Sequence, residues 1–204
     1  MNKKLAAVLS GGSVLLMALS GCSDDGDKKV NDWAKKVCDQ VQPQLTKIAN
    51  ANASIQQATS DSSKPADVQK TDAAAFQSIS DAYKALGGAV DGAGAPPGDD
   101  GEKTQKEAVS ELNATSAAYA GLKADVDDLD TKDQAKFADG LKGVADELDK
   151  LSTSGDEALQ KLQSGDVGAA MAKQPGCQRP KTSAPAETGS GEPSTEPSAE
   201  KSSS

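Results

Sequence analysis

Apolar residues recur every three or four positions through the middle of the chain, from about residue 28 to residue 171. This spacing places them on one face of an α-helix, because a helix completes one turn every 3.6 residues. Four such stretches are separated by segments rich in glycine, proline and small polar residues. The pattern therefore predicts an all-α fold, specifically an antiparallel up-down four-helix bundle.

The four predicted helices cover approximately residues 28–57, 65–90, 103–129 and 131–162. Pro43 is predicted to interrupt and kink the first helix, because proline lacks the backbone N–H and its ring clashes with the preceding turn. Thr131 and Gln134 have the spacing of a capping box at the start of the fourth helix. The polar segment Ser152–Gly155 is a candidate break in that last helix.

The first residues of the chain have a different pattern. Lys3 and Lys4 precede Leu5–Leu19, fifteen residues that carry no charge. A helix needs about 20 apolar residues to cross roughly 30 Å of hydrocarbon, so this segment is too short to span a membrane. A basic start followed by a short apolar run predicts a secretory signal peptide over residues 1–21.

The end of that apolar run, Leu19-Ser20-Gly21-Cys22, resembles the lipobox of bacterial lipoprotein precursors. In that family a large apolar residue and two small residues precede an invariant cysteine. The resemblance implies attachment of diacylglycerol to Cys22 through a thioether, and cleavage between Gly21 and Cys22. It also implies that the lipid holds the protein at the extracytoplasmic face of the cell membrane. An ordinary secretory signal with a chance cysteine is the alternative, but such a signal ends in an A-x-A-like pattern.

Cys38 and Cys177 are the two cysteines that remain once Cys22 is taken as the anchor. In an exported chain this number favours a disulfide, and two unpaired thiols are the alternative. An up-down bundle places the start of its first helix and the end of its last helix at the same end, which agrees with this pairing. Trp33 is close to Cys38 on the first helix, so we expect it to pack beside the disulfide.

The charge and composition of the mature chain limit its partners. Removal of residues 1–21 takes away two lysines and no acid, so the net charge changes from −9 to −11. Nucleic acid and bare anionic lipid repel a protein with this negative charge. We therefore expect it to contact the membrane only through the diacylglycerol on Cys22. Residues 22–27 are predicted to form a short tether, and residues 28–177 the bundle. Residues 178–204 contain nothing more apolar than alanine and are predicted to be a disordered tail.

The sequence offers little catalytic or metal-binding chemistry. The chain has no histidine, no Cys-x-x-Cys pair and no phosphate-binding glycine motif, so we predict no enzyme, no cofactor and no metal. The densest acidic cluster is Asp125–Asp130, whose carboxylates are of the kind that binds calcium. An EF-hand loop that began at Asp125 would need glutamate at its twelfth position, where Lys136 stands. We therefore interpret the cluster as a solvated helix end.

As a whole the chain resembles the small secreted lipoproteins of high-GC Gram-positive bacteria. The resemblance depends on the lipobox, on Trp33 with Cys38, on the distant Cys177 and on helices rich in alanine, glycine and aspartate. Together these features predict a monomeric, non-enzymatic bundle that binds or supports another component of the cell envelope, with an envelope protein as the candidate partner. The alternative is a carrier of a small apolar ligand or lipid, held in a cavity that the small residues leave between the helices.

Overall fold

The computed structural model describes residues 23–58, 63–153 and 157–178, and every regular element in these ranges is a helix. In chain order the elements are α1 (Ser23–Ala58), α2 (Pro65–Ala93), α3 (Gly101–Asp127), α4 (Gln134–Thr153), α5 (Glu157–Leu162), α6 (Gly165–Ala172) and a final 3₁₀ turn (Pro175–Cys177). The all-α prediction is confirmed for this part of the chain. The predicted signal peptide, Cys22 and residues 179–204 of the predicted tail lie outside the described residues.

Helix α1 is longer than the hydrophobic pattern predicts. Residues 23–27, which were expected to belong to a short tether, form its first turns. Asp25 and Asp27 supply negative charge, which is favourable at a helix N-terminus. Lys28 also forms an ion pair with Asp32, one turn further along the helix. The helix also continues without a break through Pro43, whose ring is exposed to solvent. Loss of one backbone hydrogen bond at the surface therefore does not end α1.

Helix α2 packs between α1 and α3. Near the start of α2, the amide of Gln69 donates to the carbonyl of Val126 near the end of α3, at 2.9 Å. Near the start of α3, the amide of Gln105 donates to the carbonyl of Asp91 near the end of α2, at 3.1 Å. The two helices therefore run antiparallel, and the apolar stripes that the sequence predicts for them face each other.

The remaining helices pack on α1 and α3, the two helices that flank α2. Helices α4 and α5 contact α3, whereas α6 and the final turn contact α1. Leu129, just after α3, contacts Gly140 of α4. Nζ of Lys161 in α5 lies 3.6 Å from Oε2 of Glu107, near the start of α3. The α4–α5 pair therefore follows α3 in the opposite direction. The end of α4 at Thr153 falls within the predicted break in the last helix.

Two apolar clusters form the core. The cluster nearer the disulfide contains Trp33, Ala34, Val37, Leu86, Val90, Ala108, Leu112, Leu162 and Ala170. The other contains Ala51, Ala73, Ala75, Phe76, Ile79, Leu122, Val126 and Val144, which come from four helices. Ile48 and Tyr83 are half-buried and pack against both clusters, so the two parts of the core are continuous.

The start of α4 differs from the predicted capping box. The carboxylate of Asp133, not the hydroxyl of Thr131, accepts the backbone N–H groups of Ala135 and Lys136, at 3.0 and 3.1 Å. Asp133 is therefore the N-cap, and the prediction of a cap at Thr131 is wrong. The cause is a turn just before the helix, in which the carboxylate of Asp130 accepts the N–H of Lys132 at 2.9 Å.

We expect Asp133→Ala to lower the free energy of unfolding by about 1 kcal/mol, because the first N–H groups of α4 lose their acceptor. The matched variant Thr131→Ala should change it by less than about 0.5 kcal/mol. Urea unfolding of both variants, compared with the wild type at equal m-value, measures the difference. An equal loss of unfolding free energy in the two variants would mean that Thr131 caps α4 as well, as the capping box predicts.

Candidate functional site

The disulfide end of the molecule is built by α1, α6 and the final turn. Cys38 and Cys177 are disulfide-bonded with their Cα atoms 4.8 Å apart, in agreement with the predicted pairing. Cys38 has no exposed surface, and Cys177 is half-buried. A Cβ at Gly176 would collide with the carbonyl group of Cys38, so only glycine lets the final turn approach α1 this closely.

Trp33 connects this end to α2. Its side chain is 6% exposed and packs in the same cluster as Ala170 of α6. The indole Nε1 donates to the carbonyl of Gly94 at 2.8 Å, and Nζ of Lys36 donates to the carbonyl of Gly92 at 2.6 Å. Carbonyl groups at a helix end have no partner within the helix, so both side chains cap α2. Gly94 has a φ of +83°, which glycine adopts without strain, and the chain leaves α2 there.

The first two turns of α1 extend beyond the packed part of the bundle. Val30 is half-buried and packs against the core cluster nearer the disulfide, and Trp33, which follows it, donates to the carbonyl of Gly94 at the end of α2. Residues 25–29 are all exposed. Seven residues of α1 precede Val30, and at 1.5 Å per residue they form a projection about 10 Å long. The chain therefore leaves the bundle toward Cys22 as a helix.

The acidic cluster Asp125–Asp130 does not converge on one point. Asp127 pairs with Lys123, and Asp130 forms the turn that precedes α4. Asp125 is exposed and lines a cleft that also contains Lys150 of α4. Within residues 23–58, 63–153 and 157–178, no group of three or more histidine, cysteine, aspartate or glutamate side chains has the arrangement of a metal site.

Two open clefts of the described surface have both lysine and acidic side chains among their lining residues. One, of about 570 Å³, lies between α1 and α2 and is lined by Lys47, Lys70 and Asp67, by small polar side chains and by three alanines. Another, of about 600 Å³, is lined by charged residues around the start of α3. Pockets for small apolar ligands are lined mainly by hydrophobic and aromatic side chains, so neither cleft favours the carrier hypothesis.

Asp72 of α2 is the ionisable side chain that the structure buries most clearly among the described residues. It is 4% exposed, and its Oδ1 atom has no hydrogen-bond partner. Burial raises the pKa of this carboxyl from 3.8 to about 6. The buried hydroxyls of Ser80 and Ser116 are satisfied, since each donates to the carbonyl of the other residue at 2.8 Å. Asp72 therefore differs from these two buried serines.

Sequence reasoning missed Asp72, although a signal for it exists. It lies four residues after Val68, four before Phe76 and seven before Ile79, which are all buried core residues. At those intervals a residue shares the apolar face of its helix. An aspartate in register with a core stripe is thus a candidate buried acid.

The described part of the chain contains no helix that is long and apolar enough to cross a membrane. No protein-family model, no curated protein and no solved structure matches the chain. Its function is therefore inferred from the residues of the chain itself.

Proposed function

We propose that the protein is a lipid-anchored helical domain at the extracytoplasmic face of the cell membrane, with a non-enzymatic binding or structural role in the cell envelope. The observation that carries this proposal is the lipobox Leu19-Ser20-Gly21-Cys22, which follows a basic start and a short apolar run. Diacylglycerol on Cys22 would supply the membrane affinity, since each buried CH₂ contributes about 0.8 kcal/mol and two acyl chains hold far longer than one.

The same proposal includes the architecture of the domain as an up-down four-helix bundle. Its members are α1, α2, α3 and the α4–α5 pair. Support comes from the antiparallel packing of α2 with α3, the opposite direction of α4–α5 along α3, and a core cluster with residues from α1 to α4. A disulfide-closed domain of this kind suits an oxidising compartment outside the cytoplasm.

The surface chemistry supports a binding or structural role over catalysis. The cleft between α1 and α2 presents lysine, aspartate, asparagine, serine and threonine side chains beside three alanines. The projecting start of α1 would hold the bundle about 10 Å from the lipid surface, because Cys22 directly precedes that helix. This position would give an envelope protein lateral access to a monomeric domain.

The test is the intact mass of the wild type and of Cys22→Ala, extracted from cells under non-reducing conditions. The wild type should have the mass of Cys22–Ser204 plus a diacylglyceryl group, less two hydrogens for the disulfide. Cys22→Ala should lose the diacylglyceryl mass completely, whereas the matched variant Cys177→Ala should retain it. A lipid-free mass for the wild type would overturn the anchor and move the search for partners to the medium.

A further inference from the structure

The two cysteines of the disulfide differ in their access to solvent. Cys38 lies on the packed face of α1 with no exposed surface, and its neighbours Ala34 and Val37 are equally buried. Cys177 is half-buried at the end of the final turn, and Gln178, which follows it, is exposed. A reagent in solution therefore reaches the bond from the side of Cys177.

Two backbone contacts cover Cys38 from the side of the C-terminal elements. Gly176 packs so closely on the carbonyl group of Cys38 that a Cβ at this position would collide with it. In α6, the carbonyl oxygen of Met171 lies 3.9 Å from Sγ of Cys38. Backbone atoms do not move aside by a change of rotamer, as a side chain does. The path of the chain, rather than any one side chain, therefore shields Cys38.

Access determines the course of thiol–disulfide exchange. A thiolate attacks one sulfur of the bond and expels the other, so the attacked sulfur must be reachable from solvent. Attack at Cys38 would need a path through buried atoms, whereas attack at Cys177 starts at the surface. The fold therefore makes two cysteines that are chemically alike react differently.

We propose that Cys177 is a thiol-exchange site, a property that goes beyond the proposed anchoring and binding role. An external thiolate, R–S⁻, bonds to Sγ of Cys177 while the bond between Cys177 and Cys38 breaks. The products are the mixed disulfide R–S–S–Cys177 and the thiolate of Cys38, which takes a proton from water. The sulfur of the external thiol is oxidised and that of Cys38 is reduced, so no further electron acceptor takes part.

Cys38 is the resolving thiol of the same site. The final turn keeps its own contacts with α6, because the N–H of Cys177 donates to Gln174 at 3.1 Å and the amide of Gln178 donates to Ala172 at 2.6 Å. Cys38 thus stays covered, and its thiol attacks Sγ of Cys177, expels R–S⁻ and restores the bond. The balance of thiol and disulfide around the protein thereby sets whether the cross-link between residues 139 positions apart is closed.

The test is exchange between the lipidated full-length mature protein, in detergent, and β-mercaptoethanol, a neutral thiol that the negative charge of the protein does not repel. An excess of the disulfide of β-mercaptoethanol preserves the mixed disulfides, and acid stops the reaction. Peptide mapping of the first products should find the reagent on Cys177 at least about tenfold more often than on Cys38. Equal amounts on both cysteines, or an excess on Cys38, would overturn the proposal.

The same reaction in denaturing urea is the control, and there both cysteines should carry similar amounts of reagent. The map also reports Cys22 separately. Reagent on Cys22 would show that the lipid is absent, which contradicts the proposed anchor and not the exchange site.

The reaction rate gives a second measurement on the wild type. Exchange from the folded state should be almost independent of urea below the unfolding transition, because no buried surface has to be exposed first. A rate that rises with urea as steeply as the unfolding equilibrium constant would mean that the chain unfolds before it reacts, and the proposal would be wrong.

Gly176→Ala tests the shielding of Cys38. The added Cβ displaces the final turn from the carbonyl of Cys38, so part of the reagent should shift from Cys177 to Cys38. Gly143→Ala is the matched control, because a Cβ at Gly143 of α4 meets no atom within 4 Å, and it should react like the wild type. An unchanged distribution in Gly176→Ala would contradict shielding by the final turn.

Discussion

Replacing both bridging cysteines, by Cys38→Ala together with Cys177→Ala, is expected to lower the free energy of unfolding by about 4–5 kcal/mol. The bond joins residues that are 139 positions apart, so its loss releases nearly the whole domain in the unfolded state. It also removes the covalent link between the final turn and α1. Alanine is the appropriate replacement, because serine would bury an additional hydroxyl at Cys38, which has no exposed surface.

The loss is measured by denaturant unfolding, followed by circular dichroism, of the oxidised wild type, the reduced wild type and the double variant. Reduced wild type and double variant should unfold at similar denaturant concentrations. Reductant should not affect the double variant, which serves as the control for the reagent. A difference of less than about 1 kcal/mol between oxidised and reduced protein would show that the bond hardly restricts the unfolded chain.

Trp33→Ala is expected to cost about 3–5 kcal/mol of unfolding free energy. The side chain is 6% exposed and packs in the core cluster nearer the disulfide, where α1, α2 and α6 meet. Its removal leaves a cavity and also leaves the carbonyl of Gly94 without its indole donor. Because the chain has a single tryptophan, the variant must be followed by circular dichroism rather than by fluorescence.

Trp33→Phe separates the two contributions. This variant keeps an aromatic ring in the cluster but loses the N–H group, so we expect a cost of about 1–2 kcal/mol. It should also fold if the alanine variant does not. An equal cost for the two variants would mean that the hydrogen bond to Gly94, rather than the packing of the ring, provides the stabilisation.

The helices themselves are largely predictable from the sequence, whereas their ends are less so. Spacing of three and four residues identifies α2 and α3 to within three residues at each end, because each presents an apolar stripe to the core. The start of α1 was missed, since residues 23–27 are polar and have no core face to produce a pattern. At α4 the sequence pattern predicts a cap at Thr131, but the turn at Asp130 delays the start of the helix, and Asp133 caps it instead.

The candidate site was likewise predictable only in part from the sequence. The pairing of Cys38 with Cys177 could be inferred, because only two cysteines remained and the fold brought their ends together. The lipid on Cys22 stays a prediction from the lipobox. Gln69 was missed, although its amide lies within 3.0 Å of three carbonyl oxygens at the end of α3. Such a contact depends on the neighbouring helix, which no local pattern reveals.

The place of the disulfide determines which parts of the molecule would bear mechanical load. A pull between the start of α1 and the residue after the final turn passes along fifteen residues of α1, crosses the bond from Cys38 to Cys177 and leaves at Gln178. The 138 residues between the two cysteines lie outside this path. Tension between a lipid on Cys22 and the C-terminal end would therefore unwind at most residues 23–37 before it reached the covalent bond, and the 138 residues between the cysteines would not be extended.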